Sequence, residues 1–257
     1  MNIKNEETER SLSMNMTVIG CWGGYPKVNE ASSGYLFEEG GFKLLIDCGS
    51  GVLSHLQNHI QPEQLDAVLL SHYHPDHVAD IGVLQHALLI SKHLGKEVSP
   101  LLIYGHQEDE AGFAALTYKD LTIGKAYHPD EKLIIGPFTV EFLRTVHPVP
   151  CYAVKISNHR QSVVYTADSA YQEAFIPFIK GSSLLLCESN FYSGMDGQAA
   201  GHMTSSEAGK LARQAGVNTL ILTHLPHFGE LTQLKAEAEA EFEGTVLLAK
   251  EDLEIGL

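Results

Sequence analysis

The chain has 257 residues, of which 44% are hydrophobic and 19% are charged, a composition typical of soluble globular proteins. Its 32 acidic residues outnumber its 17 basic residues and give a formal net charge of −15. This balance argues against extended nucleic-acid binding, because Lys and Arg side chains provide most of the affinity for phosphate backbones. The sequence contains no apolar run of membrane-spanning length, which argues against a membrane protein.

The amino-terminal segment differs in character from the rest of the chain. Residues 1–13 are polar and charged and lack the apolar stretch of a secretory signal, so we expect a cytoplasmic protein. We expect residues 1–15 to form a disordered leader and residues 16–257 to form a single domain, because no low-complexity linker divides them. Four well-separated cysteines form no Cys-x-x-Cys pair, which predicts buried thiols rather than disulfides or a zinc clip: Cys21, Cys48, Cys151 and Cys187.

Short apolar runs alternate with helical patterns through the first half of the chain. The predicted strands lie at residues 17–19, 34–37, 43–47, 67–70 and 101–104. The predicted helices lie at residues 51–59, 75–94 and 108–116, and Gly95 closes the second of them. The first half therefore predicts a sheet that is joined by helices.

A second round of strands and helices follows in the same order. The predicted strands lie at residues 133–135, 139–142, 152–156, 162–165, 184–186, 219–222 and 246–248. The predicted helices lie at residues 172–180, 205–215 and 231–242. Two similar rounds predict two sheets packed face to face with helices on the outside.

Three histidines and an aspartate share one short segment directly after the predicted strand at residues 67–70. They follow the pattern His-x-His-x-Asp-His and are His72, His74, Asp76 and His77. Imidazole nitrogens and carboxylate oxygens are the groups that hold zinc and neighbouring transition metals. An extended backbone points His72 and His74 to one face. A helix that begins at Pro75 could bring the other two to a second point nearby. The spacing predicts two metal positions.

Three later residues follow predicted strands at the same end of the sheets. His147, Asp168 and His224 each come shortly after a strand, where α/β folds place ligand sites. Taken alone, each is as consistent with a turn residue or a surface histidine as with a metal ligand. Their shared position favours additional metal ligands.

The order of these motifs resembles the metallo-β-lactamase-fold hydrolase superfamily over nearly all of the chain from Met16. The resemblance rests on Asp47 in the segment Asp-Cys-Gly-Ser-Gly, the His-x-His-x-Asp-His run, and the three later residues. It implies an α/β fold, a four-layer αββα sandwich. It also implies that Asp47 orients a ligand histidine, which agrees with the usual need of a ligating imidazole for a hydrogen-bond acceptor.

The resemblance implies two divalent metal ions, with Zn²⁺ expected and Mn²⁺ or Fe as alternatives. His72, His74 and His147 would hold one ion, Asp76, His77 and His224 would hold the other, and Asp168 would bridge both. Two ions about 3.5–4 Å apart lower the pKa of a shared water toward 7, so hydrolysis by a bridging hydroxide is expected. Asp76 could orient that hydroxide as well as bind metal.

Two residues of the C-terminal third resemble the ribonuclease Z group of phosphodiesterases. Glu188 precedes a Gly-His-Met-Thr segment that contains His202, and by this match Glu188 would orient His202. His202 would then stabilise the transition state or protonate the leaving oxygen. The same loop also has the spacing of a helix-capping box from Thr204 to Glu207, and the two roles are compatible.

The chain departs from the usual bacterial ribonuclease Z in one large feature. Those enzymes carry a long basic arm between the positions of His147 and Asp168, and here the interval has room only for two strands and a turn. With the negative net charge, this favours a small anionic substrate, such as a cyclic nucleotide, short oligonucleotide or RNA end, over intact tRNA. The related nucleases pair as dimers, so a homodimer stays open.

Other activities of the same scaffold stay open. The main alternative is hydrolysis of a lactone, thioester or β-lactam, because a fold does not fix its substrate. His202 weighs against hydrolysis of such carbonyl substrates, because it would be a histidine near the substrate phosphate that is separate from the metal ligands. A diiron redox protein is disfavoured because no flavin domain is attached, and a pure binding module is disfavoured because every implied ligand position is filled.

Overall fold

The computed structural model of the protein describes residues 13–257. Most of the expected leader, residues 1–12, lies outside the described residues. Met14 is fully buried, and Asn15 is the first residue of the first strand, so ordered structure includes two residues that the leader was expected to contain.

The first sheet has seven strands, in the spatial order β14-β1-β2-β3-β4-β5-β6. Their bounds are β1 Asn15–Gly20, β2 Gly34–Glu39, β3 Phe42–Ile46, β4 Ala67–Leu69, β5 Leu101–Gly105, β6 Thr122–Ala126 and β14 Glu254–Gly256. Strands β14 to β3 pair antiparallel, whereas β3 to β6 pair parallel. The parallel half requires crossover connections, which the helices of this half provide.

The second sheet repeats this arrangement, in the order β13-β12-β11-β10-β9-β8-β7. Its strands are β7 Leu133–Ile135, β8 Phe138–Arg144, β9 Tyr152–Ser157, β10 Ser162–Tyr165, β11 Leu184–Glu188, β12 Thr219–Thr223 and β13 Thr245–Leu248. Strands β7 to β10 pair antiparallel and β10 to β13 pair parallel. Strands β9 and β10 with their turn fill most of the interval between His147 and Asp168.

The two sheets pack face to face and helices cover their outer faces. In β3, Leu44 and Ile46 point into the core between the sheets, whereas Leu45 points to the helical layer, as the two-residue period of a strand requires. The helices are α1 Val52–Leu56, α2 Pro75–Val78, α3 Ile81–His93, α4 Glu110–Ala114, α5 Phe175–Ile179, α6 Ser205–Ala215 and α7 Leu231–Glu239. The predicted four-layer αββα sandwich is confirmed.

One predicted helix is divided in two. The expected helix at residues 75–94 is interrupted between α2 and α3, because the Asp80 N–H donates to the Cys48 carbonyl at 3.1 Å. The Asp76 carbonyl, which an uninterrupted helix would bond to Asp80, accepts from the Ser33 N–H at 3.2 Å instead. Competing bonds to neighbouring loops thus end α2 immediately after Asp76 and His77.

Two short strands were not predicted. Strand β6 contains Gly124 and Lys125, and β14 contains Gly256, so neither has the run of β-branched and aromatic residues that marks a strand. The four cysteines are buried and free, as predicted. Among residues 13–257, the helices are all too short or too polar to cross a bilayer.

Candidate metal centre

The candidate ligands lie where strands of both sheets end. Asp47 directly follows β3, the segment from Ser71 to His77 follows β4, and His224 directly follows β12. Asp47 and His224 have positive φ angles of 56° and 51°, and Ala167, next to Asp168, has 51°. Such angles are costly for residues with a Cβ, and they cluster where surrounding structure holds a functional geometry. Both sheets therefore direct polar side chains to one edge of the sandwich.

The first donor group comprises His72, His74, His147 and Asp168, whose ligand atoms lie within 4.8 Å of one another. His147 Nε2 lies 3.1 Å from His74 Nδ1, and His147 Nδ1 donates to the Gly201 carbonyl at 3.0 Å. That donation leaves Nε2 of His147 with a free lone pair that faces the other imidazoles. This group contains the three histidines expected around one ion.

The second donor group comprises Asp76, His77, Asp168 and His224, and all four side chains are buried. His224 Nε2 lies 3.1 Å from Asp76 Oδ2 and 3.3 Å from Asp168 Oδ2. Asp168 belongs to both groups, in the position expected for a bridging carboxylate. The structure therefore brings together all seven residues that the sequence proposed as ligands.

Several buried atoms in these groups have no hydrogen-bond partner. They are His72 Nε2, His77 Nε2 and Asp168 Oδ1. His77 Nε2 and Asp168 Oδ1 are 3.3 Å apart but lack hydrogen-bond alignment. Buried polar atoms without partners are costly, and a bound cation would provide the missing partner. The donor atoms therefore fit a pair of metal ions.

Asp47 fixes the orientation of one candidate ligand. Its Oδ2 accepts from His77 Nδ1 at 2.8 Å, from the Ser71 hydroxyl at 2.9 Å and from the Tyr165 hydroxyl at 3.1 Å. Its Oδ1 accepts from the Ser71 N–H at 2.8 Å. With Nδ1 of His77 engaged, Nε2 is the nitrogen that faces Asp168, the arrangement that ligating histidines use.

The charges of the two donor groups suit cation binding. Burial lowers the pKa of His72 well below its ordinary value, so this imidazole is neutral and can donate a lone pair. Burial would raise the pKa of Asp168, but His224, His77 and His72 outweigh it and hold that pKa well below the usual range. Asp168 and Asp47 raise the pKa of His77 against burial, so a cation bound there would replace a proton.

Glu188 and His202 form a separate pair beside the donor groups. Glu188 is fully buried, and its Oε1 accepts from His202 Nδ1 at 2.9 Å and from the Ser169 N–H at 2.7 Å. Its Oε2 accepts from the Met203 N–H at 3.0 Å. Both oxygens are thus occupied by N–H donors, which suits Glu188 for positioning His202 rather than for binding a third cation.

His202 packs against two of the donor histidines. Its ring stacks on His224 with centroids 5.2 Å apart and meets the His147 ring edge at 5.3 Å. Burial alone would lower the pKa of His202, but the charge and hydrogen bond of Glu188 outweigh burial and raise it to about 9. The hydrogen bond to Glu188 therefore favours the protonated, imidazolium form of His202.

The donor groups open into a cavity of about 420 Å³. Besides the donors and His202, its wall includes Gly24, Tyr25, Asn190, Ala200 and Phe228. The loops at residues 23–33 and 191–200 both contribute to this wall. A larger cavity of about 710 Å³, bounded by Tyr127 and Arg144, is lined by none of the donors. The smaller cavity is therefore the candidate substrate site.

Two residues that support His224 were missed by sequence reasoning. The Asn190 amide donates to the His224 carbonyl at 3.0 Å. A Cβ on Gly23 would lie 2.7 Å from the His224 ring and 2.5 Å from the Asn190 amide, so only glycine fits there. The Gly23-Gly24 pair hinted at a close approach, whereas nothing in the sequence marked Asn190.

We expect Gly23→Ala to weaken metal binding by about 10- to 100-fold, because the added methyl group would displace His224, and changes of support around a ligand have effects of this size. Competition with a chromophoric chelator would measure the affinity. Gly82→Ala is a matched control, because a Cβ on Gly82 meets nothing within 4 Å. Equal metal affinity in the two variants would contradict this prediction.

Comparison with known proteins places the chain in a family. Residues 43–225 match the family described as the β-lactamase superfamily domain. The probable metallo-hydrolase YhfI of Bacillus subtilis strain 168 is 56% identical over 237 residues, which cover 92% of this chain and 97% of that protein. The crystal structure of YhfI superimposes with a TM-score of 0.94 at 53% identity and covers 95% of this chain and 100% of that one.

More distant relatives include ribonuclease Z proteins. Ribonuclease Z of Methanopyrus kandleri is 27% identical over 275 residues, which cover 93% of this chain and 96% of that protein. Human tRNase Z, short form, has a TM-score of 0.72 at 18% identity over 94% of this chain and 98% of that one, which shows a shared fold. The predicted family is confirmed: the chain belongs to the β-lactamase superfamily and has the metallo-β-lactamase fold.

Proposed function

We propose that this metallo-hydrolase is a phosphodiesterase that cleaves a small phosphodiester, such as a cyclic nucleotide, a short oligonucleotide or an RNA end. The observation that carries the proposal is the placement of His202. It lies outside the two four-residue donor groups, is held by buried Glu188, and lines the same cavity as the donors. An imidazolium beside a cation site suits a negatively charged phosphoryl group.

The seven donors would hold two divalent ions, which we propose to be zinc. Mixed imidazole and carboxylate donors suit zinc, and they also accept manganese or iron. When bound, such ions lower the pKa of water and neutralise charge on the substrate. The family match and the YhfI relative support hydrolytic chemistry of this kind.

Two side chains of the cavity have distinct tasks in this proposal. Asp76 orients the attacking water, and its Oδ2 is held by the Gly24 N–H at 2.6 Å. His202 donates a hydrogen bond to a phosphoryl oxygen and then gives its proton to the leaving oxygen. Glu188 keeps His202 protonated and pointed with Nδ1 away from the substrate.

The surroundings of the site favour a small substrate. The interval between His147 and Asp168 is filled mainly by the β9–β10 hairpin, which leaves no room there for a long basic arm. The net charge of −15 opposes the approach of a long polyanion, whereas bound cations would attract a small anion locally. A cavity of about 420 Å³ is within the usual range for small ligands.

A substrate panel tests the reaction class directly. Protein of measured metal content would be offered bis-p-nitrophenyl phosphate, a lactone series, a thioester and a β-lactam. We expect turnover of the phosphodiester to exceed that of each carbonyl substrate by at least about tenfold in kcat/KM. Faster hydrolysis of a carbonyl substrate would replace the proposal with the alternative activity. Efficient cleavage of precursor tRNA at physiological salt would overturn the preference for small substrates.

Metal content provides a second test. We expect purified protein to hold about two transition-metal ions per chain, because two donor groups share Asp168. Elemental analysis before and after dialysis against a chelator would measure the ions. Because ions that bind only the folded state stabilise it, the melting temperature should fall on removal and recover on addition of zinc. Absence of metal even after loading with zinc or manganese would refute the proposed centre.

A further inference from the structure

Two exposed aromatic side chains lie at the mouth of the candidate substrate cavity. Among residues 13–257, ten large hydrophobic residues are exposed, and the two aromatic ones, Tyr25 and Phe228, both line this cavity. Tyr25 is 61% exposed and Phe228 is 45% exposed. Because both exposed rings border one cavity, they provide apolar surface on which a ligand can pack.

Tyr25 is held in a fixed orientation by the ring below it. Its ring stacks on His227 with centroids 3.7 Å apart and an interplanar angle of 5°. His227 in turn stacks against buried Trp22 at 5.3 Å. His227 Nε2 donates to the Tyr25 carbonyl at 2.7 Å and lies 3.1 Å from the Gly23 carbonyl. Tyr25 is thus the outermost ring of a stack in which His227 and Trp22 are the inner rings.

The same loop is tied directly to the donor groups. The Gly24 N–H donates to Asp76 Oδ2, and the Gly23 N–H donates to the Leu225 carbonyl, next to His224, at 3.1 Å. Phe228 packs against Phe191 with centroids 6.3 Å apart, and Phe191 lies 6.1 Å from the ring of His202. The exposed rings are therefore fixed with respect to both the candidate ligands and His202.

We infer that the substrate carries a nucleobase, which stacks on Tyr25 and Phe228 while its phosphodiester lies at the donor groups. This inference rests on the proposed phosphodiesterase function and specifies its substrate class. A base presents a flat π-face that suits an exposed ring, and such stacking needs no sequence-specific hydrogen bonds. A cavity of about 420 Å³ that contains both rings and donors accommodates a mononucleotide-sized ligand.

A pair of ligands that differ only in the base tests the inference. 2′-Deoxyadenosine 3′,5′-cyclic phosphate and the 3′,5′-cyclic phosphate of 1,2-dideoxyribose, which lacks only the base, would be measured as competitive inhibitors of bis-p-nitrophenyl phosphate hydrolysis. We expect the base to lower the inhibition constant by about tenfold in the wild-type protein. Tyr25→Ala should remove most of this tenfold ratio, whereas Tyr25→Phe, which keeps the ring, should retain it. Phe228→Leu should reduce the ratio as well.

A control variant and the possible negative results distinguish base stacking from the phosphodiesterase function itself. Ile134→Ala changes a residue that is 64% exposed on β7, outside the cavity, and should show the wild-type ratio. Equal inhibition by the two cyclic phosphates in the wild-type protein, or a ratio that survives both Tyr25→Ala and Phe228→Leu, would overturn base stacking while leaving the phosphodiesterase standing. Failure of metal-loaded protein to hydrolyse bis-p-nitrophenyl phosphate would overturn both.

Discussion

Replacing Asp168 with alanine should deprive the protein of metal and lower turnover by more than about 100-fold. Asp168 is the one residue common to both donor groups, and its oxygens face His72, His77 and His224 at 3.3–3.7 Å. Changing a residue that merely supports a ligand reduces metal affinity by about 10- to 100-fold, so loss of a shared ligand should have a larger effect. Elemental analysis and phosphodiester kinetics on the same preparation would measure both losses.

Asp168→Asn provides the matched comparison, because it keeps the shape of the side chain and removes its charge. It should also lose metal, since a carboxylate that would neutralise two cations is replaced by a neutral amide. Thermal unfolding of each variant with and without added zinc would separate lost metal affinity from lost folding. If Asp168→Ala still binds two ions with ordinary affinity, the shared-ligand interpretation is wrong.

Replacing His202 with alanine should lower kcat by about 100- to 10,000-fold while leaving the metal content at its wild-type level. His202 lies outside both four-residue donor groups, although its ring stacks on His224. Glu188 keeps the Ser169 and Met203 N–H donors in this variant, so the buried carboxylate is still hydrogen-bonded. His86→Ala, on the exposed side of α3, is the control. Unchanged phosphodiester turnover in His202→Ala would remove its catalytic role.

The pH profile gives an independent readout of this role. Burial lowers the pKa of His202, but Glu188 outweighs it and raises that pKa to about 9. Because the proposed donor is the protonated ring, its deprotonation should make the rate fall as the pH rises through about 9. Glu188→Gln removes the carboxylate charge, so the fall should move to lower pH. A fall at the same pH in wild type and Glu188→Gln would contradict this assignment.

The donor residues of the candidate site were easier to predict from the sequence than the residues that hold those donors in place. The donors are chemically distinctive residues that follow strands, so spacing and residue type were enough to propose that they meet, and the structure brings them together. Their role as metal ligands stays a prediction. Asn190 and Gly23 act through close approach to His224, and such packing cannot be read from residue type. The same is true of Tyr25, whose position depends on His227, 202 positions away in the sequence.

The two-sheet architecture was predicted because short apolar runs mark most of the strands and recur in two similar rounds along the chain. The interruption between α2 and α3 was missed because it depends on the Cys48 and Ser33 backbone groups, which are remote in sequence. The α6 boundaries were predicted correctly, since the capping box at Thr204 and the left-handed Gly216 mark both ends locally. Local signals were therefore sufficient to predict helix ends that are set by capping residues. They were insufficient where contacts with residues remote in sequence end the helix.

The pairing of β1 with β14 has a consequence for how the chain is made. These strands come from opposite ends of the described residues, and the Leu257 N–H donates to the Met14 carbonyl at 3.0 Å. A ribosome releases β1 early and β14 last, so β1 waits with one edge unpaired while the rest is synthesised. An open edge is a template for pairing with another chain. We therefore expect the protein to be more prone to aggregation when β14 is detached than when it covers this edge of β1.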